Sequence, residues 1–137
     1  MTGESEYLCL LNKNRMTLLT QLHSLLRWTL LLLLLFAIIK AISGWMKSAS
    51  FSRSDARTGL LLTIFADLQL LMGLVLYLAG PMGYKNIQLF GMGEVMKNPV
   101  ARFFAVEHIT MMLIAIVLIH IGRARSKKAL TDLAKHK

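Results

Sequence analysis

The residues best suited to chemistry in this chain are ionisable side chains that lie within otherwise apolar stretches. They are Asp67, Glu107 and His108, and Gln69 adds an amide close to Asp67. An ionisable group in the middle of a membrane-spanning helix costs roughly 2.5–3.5 kcal/mol on insertion scales, so it generally has a partner or a function. These four residues are therefore candidate intramembrane polar residues, provided that the stretches around them cross a membrane.

Two histidines on different apolar segments, His23 and His108, have the chemistry to bind a haem iron. Axial ligation of a b-type haem needs two neutral imidazoles from different helices at similar depth. Counting residues along the helices separates the two in depth by about 15 Å, an offset that helix tilt reduces. Arg27, one helical turn after His23, is placed to contact a haem propionate. His120 lies roughly 18 Å along the helix from His108, so the two cannot share one iron, and we expect it at a membrane interface.

Two other interpretations of the polar residues stay open. In the first, they only stabilise the protein: Asp67 and Gln69 hydrogen-bond across helices, and Glu107 pairs with Arg27 or Arg102. The chain is then a non-catalytic structural or assembly subunit of a membrane complex, without haem. In the second, Asp67, Glu107 and His108 carry protons along a pathway, because such groups titrate readily when they are buried.

Three apolar segments must position these side chains. Of the 137 residues, 55% are hydrophobic and 17% charged, and the mean hydropathy is +0.57. Each apolar segment has roughly 18–20 residues, about the number that a helix needs to cross a 30 Å hydrocarbon layer. Backbone groups in lipid must bond to one another, so the segments are helices. The sequence predicts an all-α integral membrane bundle of three transmembrane helices, at about 17–45, 59–80 and 100–123.

Charge and polarity divide the rest of the chain. We expect a flexible N-terminal tail over 1–15, a membrane domain over 16–126 and a basic cytoplasmic tail over 127–137. Lys and Arg residues concentrate on the cytoplasmic side of membrane proteins. The larger group here includes the C-terminal tail, which predicts a multi-pass protein of the cell inner membrane with a cytoplasmic C-terminus. That group is Lys47, Arg53, Arg57, Arg123, Arg125, Lys127, Lys128, Lys135 and Lys137.

Several classes of function are excluded. The net charge of +9 comes from loops and tails between apolar runs, without the aromatic-interleaved basic patch of a nucleic-acid-binding protein. Cys9 is the only cysteine, which excludes an intramolecular disulfide, a cysteine-based zinc or iron–sulfur site and covalent c-type haem attachment. The sequence has no hydrolase constellation, glycine-rich phosphate loop or H-E-x-x-H motif. Whether the chain is an enzyme is left open.

Small residues recur along the second apolar segment at a spacing of seven. They are Ala66, Gly73 and Gly80. Such a spacing keeps one helix face narrow enough for a neighbouring helix to approach closely. The same groove would also admit a flat cofactor, and the spacing alone does not distinguish the two uses.

Five short strings stand out along the chain: LHSLLRW at 22–28, ADLQLLMG at 66–73, MKN at 96–98, RFFAVEH at 102–108 and SKK at 126–128. As a set, they resemble a family of small integral membrane proteins from Bacteroidetes that is labelled cytochrome b-like. The resemblance covers nearly everything from Met16 to the C-terminus. It implies a membrane subunit that binds haem b and passes electrons, with quinone as a partner, in a homo-oligomer or a larger membrane complex.

The chain departs from the family pattern in two ways. Family members resemble one another in having a histidine where this chain has Asp67, and they look like four-helix proteins that continue past the segment ending His136-Lys137. The resemblance implies an outer ligand pair, His23 and His108, and an inner pair, at the positions of Asp67 and His136, that is broken. It therefore implies a single haem near the outer face of a truncated four-helix bundle. The exposed seam would be covered by lipid, a second copy or a partner subunit.

Overall fold

The computed structural model describes residues 3–136, with side-chain surroundings given from Cys9 onward. Between residues 3 and 136 the chain forms helices and no strand, which confirms the predicted all-α class. The elements are α1 (Gly3–Met46), α2 (Arg53–Ala79), α3 (Tyr84–Lys97), α4 (Pro99–Arg102), a π-helical segment (Phe103–Glu107), α5 (His108–Lys128) and α6 (Asp132–Lys135). Three stretches are long and apolar enough to cross a membrane: Cys9–Met46, Arg53–Ala79 and Pro99–Lys128.

The predicted spans are present, but their ends differ from the prediction. Helix α1 begins at Gly3, so the stretch for which the sequence predicts a tail is helical from Gly3 onward, and Met1 and Thr2 lie outside the described residues. An established helix adds further residues at little cost, because only its first turn is expensive to form. The third span likewise continues to Lys128, beyond the predicted end at 123.

Local capping explains why α2 begins at Arg53 rather than at 59. The Ser52 hydroxyl accepts a hydrogen bond from the Asp55 backbone N–H at 3.2 Å, and the Asp55 carboxylate accepts one from the Ser52 N–H at 2.9 Å. This reciprocal pair is a capping box, which satisfies two backbone donors at a helix start. The polar residues before the apolar run therefore belong to the helix.

Large apolar side chains lie on the outside of the helices rather than in a core. Leu32, Leu71 and Met111 are each at least 60% exposed, whereas Ala66 is fully buried. In water this arrangement would leave a large unfavourable apolar surface, whereas lipid solvates it. The buried hydrophobic side chains among the described residues are few: Leu62, Ala66, Val95 and Ala105. The chain therefore has the surface of a membrane protein.

The chain divides into two compact units, and each long helix contributes residues to both of them. The first comprises the chain up to Leu25 together with Leu71–Met111. Within it, α3 is kinked at Gly91, where φ is +76°, a conformation that L side chains rarely adopt. The Asn98 carboxamide oxygen then accepts hydrogen bonds from the N–H groups of Val100 and Ala101 and starts the third span.

The second unit comprises Leu26–Leu70 and the chain from Met112 onward. An ion pair between Lys40 and Asp55, at 2.8 Å, joins α1 to α2. The Ser126 hydroxyl donates to the Lys135 carbonyl oxygen at 2.8 Å, which folds the chain after α5 back on itself. His136 is 8% exposed and packs on Gly44. The basic segment that the sequence predicts over 127–137 thus contacts α1 near its end, through His136.

Gly44 supplies the space that the His136 ring occupies. A Cβ at this position would overlap the ring, with Nδ1 only 2.5 Å away. We expect Gly44→Ala to displace His136, because overpacking costs about 1–3 kcal/mol, and to raise trypsin cleavage at Lys127–Lys128 by roughly ten-fold. Gly122→Ala is the matched control, since a Cβ there meets no atom within 4 Å. Equal cleavage of the two variants would contradict the packing described here.

Candidate functional site

The third span contains a π-helical segment, Phe103–Glu107, that ends immediately before His108. The His108 backbone N–H donates to the carbonyl oxygen of Phe103, five residues earlier. On α2, the Tyr77 hydroxyl donates to the Ala105 carbonyl oxygen at 3.2 Å and so fastens the segment to α2. Short π-helical segments within α-helices occur frequently at functional sites, because they rotate the following side chains relative to the preceding turn. The direction of His108 is thus fixed by a local departure from α-helical geometry.

The structure brings His23 of α1 and His108 of α5 together. Their ring centroids are 6.3 Å apart and their planes lie at 81°. Two imidazoles that bind one iron from opposite sides, with metal–nitrogen distances of about 2.0–2.1 Å, have centroids roughly 6.3 Å apart. The angle between planes is also compatible, because each ring can rotate about its own metal–nitrogen bond. The observed spacing therefore fits axial ligation of a haem, and no 15 Å depth offset separates the two rings.

Small and aromatic residues surround the histidine pair. A Cβ on Gly73 of α2 would lie 3.2 Å from the His23 Cε1 atom, so this glycine leaves room for the imidazole. The Phe103 ring centroid is 5.7 Å, and that of Phe104 6.5 Å, from the centroid of His108. These two apolar rings lie beside His108. Gly73, which the sequence predicts as part of a packing seam, thus lies against His23, a candidate haem ligand.

The sequence leaves Arg27 and Arg102 open as partners of Glu107, and the structure shows Arg102. Its carboxylate accepts a hydrogen bond from the Arg102 Nε at 2.6 Å, and the Arg102 Nη1 donates to the Met96 carbonyl oxygen at 3.3 Å. Residues five apart share a face on a π-helical turn, which permits this contact. Arg27 lies in the other unit, where its guanidinium carbon is 5.2 Å from the Trp28 ring centroid. Its role beside a propionate stays a prediction.

In the second unit, Asp67 of α2 pairs with His120 of α5. The His120 Nε2 lies 3.3 Å from the Asp67 Oδ1, and its Nδ1 lies 3.0 Å from the Ile116 carbonyl oxygen. Both ring nitrogens thus face oxygen atoms, one on α2 and one in the preceding turn of α5. Gln69, on the same helix as Asp67, is buried. The sequence interpretation placed His120 at an interface and missed this pair.

The inner ligand pair that the family resemblance implies is not assembled here. Asp67, at one of the two positions that this resemblance implies, contacts His120. His136 packs instead on Gly44, and its ring centroid lies 5.2 Å from that of Phe51. Among residues 3–136 there is no group of three or more His, Cys, Asp or Glu side chains placed to hold a metal ion. A haem needs only two protein ligands, so its fit depends on the His23–His108 pair alone.

The Asp67–His120 contact predicts an energetic coupling between α2 and α5. We expect Asp67→Asn and His120→Gln each to destabilise the folded protein, and the double variant to lose less stability than the sum. Interhelical hydrogen bonds in membranes couple by about 0.6–1.7 kcal/mol. Unfolding in bicelles measures this double-mutant cycle. Glu107→Gln combined with His120→Gln is the control, and its effects should add. Additive effects for the Asp67 and His120 variants would mean that the contact contributes nothing.

No protein family, curated protein or solved structure matches this chain.

Proposed function

We propose that the chain is a b-type cytochrome-like membrane subunit in electron transfer, with haem b held by His23 and His108. The observation that carries the proposal is the 6.3 Å separation of the two imidazole centroids, contributed by different helices. Haem b would supply a one-electron carrier whose potential depends on its axial ligands and their surroundings. The resemblance to the Bacteroidetes proteins labelled cytochrome b-like supports the same function.

The surrounding residues have separate roles in this proposal. His23 and His108 would hold the haem, and Gly73 leaves the space that the His23 ring needs. The π-helical segment orients His108, and the Phe103 ring lies beside it. A site with few water molecules has a low effective dielectric, which strengthens the influence of nearby charges on the redox centre. Arg27 is proposed as the partner of a propionate.

The proposed environment is the cell inner membrane, with the C-terminus in the cytoplasm. The distribution of Lys and Arg supports this orientation, since the larger group flanks the loop before α2 and follows α5. Quinone is the proposed electron-exchange partner, and a homo-oligomer or a larger membrane complex would cover the apolar faces that a single chain leaves exposed.

The test is an absorption spectrum of the protein purified in detergent after haem-supplemented expression. We expect a Soret band, a sharp α band on reduction with dithionite, and stoichiometric haem in a pyridine-haemochrome assay. The low-spin spectrum of two imidazole ligands is the specific signature. A pure, folded protein without a Soret band would refute the proposal.

A second candidate function is a structural or assembly subunit without haem. The observation that favours it is that embedded charged groups have partners within the chain, as in Arg102–Glu107 and Asp67–His120. Paired groups of this kind stabilise helix packing without any chemistry. This candidate predicts co-purification with larger partner proteins, and it predicts no absorbing cofactor in either the intact protein or His23→Ala.

A further inference from the structure

The second unit has a groove that is apolar along its length and cationic at one end. We propose that it binds one anionic phospholipid, with the phosphate near Arg123 and Lys127 and an acyl chain between α1 and α5. The proposal is independent of haem, because none of its residues belongs to the histidine pair of the first unit.

The groove has the size and the walls that an acyl chain needs. Its volume is about 690 Å³, within the range of roughly 300–1,000 Å³ typical of small-molecule sites. Ala37 and Ala41 line it on α1, and Ala115 and Gly122 line it on α5. Such small side chains leave space beside the helix backbones, while Leu118 supplies apolar contact.

Charge at one end of the groove selects the headgroup. Lys40 is paired with Asp55 at 2.8 Å. Lys135 is paired with Asp132 at 3.0 Å, and this contact, together with a backbone hydrogen bond from Phe51, lowers the pKa of the Asp132 carboxyl below its ordinary value. These two cations are therefore largely neutralised by their own carboxylates.

Arg123 and Lys127 are the cations in excess. The Arg123 guanidinium contacts the Ala56 carbonyl oxygen, at 3.5 Å, rather than a carboxylate. Lys127 has no ion pair with any residue in the described part of the chain. Basic pockets between transmembrane helices on the cytoplasmic side bind anionic lipid headgroups. The two cations thus complement a single phosphodiester.

One nitrogen of a buried imidazole at the same end lacks a hydrogen-bond partner among the described residues. The His136 side chain lines the groove, and its Nε2 is buried with no hydrogen-bond partner among the described residues. A buried polar atom without a partner is unfavourable, so its presence indicates a bound group that supplies one. A phosphate oxygen can accept a hydrogen bond from this nitrogen. An uncharged quinone would need no such set of cations.

Native mass spectrometry of the protein in an uncharged detergent tests the proposal, with phosphatidylglycerol and phosphatidylcholine of matched acyl chains as probes. We expect preferential retention of phosphatidylglycerol. Arg123→Gln combined with Lys127→Gln should weaken it roughly thirty-fold, since each basic residue near an anionic headgroup contributes about a factor of five. The matched control, Lys85→Gln with Lys97→Gln, removes the same charge from the first unit and should leave retention unchanged.

Further measurements distinguish the binding of a lipid from the binding of free inorganic phosphate. Gly122→Leu keeps every charge and adds a side chain where a Cβ meets no atom within 4 Å, so it should fold and yet reduce lipid retention. Inorganic phosphate at equal concentration should not compete with the lipid. The proposal is overturned by equal retention of the two lipids, by equal losses in the two double variants, or by effective competition from phosphate. His108→Ala should retain the lipid normally, which keeps this test independent of haem.

Discussion

Replacing His108 by alanine should yield a folded membrane protein that has lost nearly all of its haem. In the proposed site this change leaves a single imidazole, His23, because His120 lies about 18 Å further along the same helix than His108. Loss of groups that merely orient a metal ligand lowers metal affinity by about 10–100-fold, and loss of the ligand itself should cost at least as much. Any residual haem should show the high-spin spectrum of a five-coordinate iron.

The measurement is pyridine-haemochrome content per mole of protein, with helix content from circular dichroism to verify folding. His120→Ala is the matched control, because it removes a histidine from the same helix but outside the pair. Imidazole added to His108→Ala should restore the low-spin spectrum by occupying the vacant ligand position. Equal haem content in the two alanine variants would exclude His108 as a ligand.

The three membrane spans were predictable because apolar length is recorded directly in the sequence. Their ends were not, since they depend on local hydrogen bonds. The Ser52-to-Asp55 capping box ends four residues before Gly59, among polar residues that suggested a loop. Each added turn of helix also changes the apparent depth of every side chain. The expected 15 Å offset between His23 and His108 arose in this way, from using the apolar run of α1 to judge depth.

Contacts between helices were harder to predict than the helices themselves. Asp67 and His120 were recognised separately, yet their pairing depends on how α2 and α5 align, which no local pattern specifies. The π-helical segment before His108 also has no sequence signature that we recognise. By contrast, Arg102 was among the expected partners of Glu107, because a charge inside an apolar segment demands an opposite charge nearby.

Gly73 offers a way to perturb the proposed ligand pair without touching either histidine. Gly73→Leu should lower the haem content at least ten-fold while leaving the protein inserted and helical. Its Cβ would lie 3.2 Å from the His23 Cε1, and the branched side chain beyond it would occupy the space of the ring. Displacing His23 changes its separation from His108, and displaced or unsupported ligands lose about 10–100-fold in metal affinity. Gly73→Ala should give a smaller loss, because the ring needs to move only by a few tenths of an ångström.

Gly93→Leu provides the control for this prediction, because it adds the same side chain in the same unit where a Cβ meets no atom within 4 Å. It should retain normal haem content and a normal reduced α band. A purely structural role for Gly73 would instead lower stability in proportion to side-chain size without changing the spectrum of the folded fraction. The decisive quantity is therefore haem per folded protein. If that ratio is unchanged in Gly73→Leu, the space beside His23 is a packing feature and the imidazole there binds no iron.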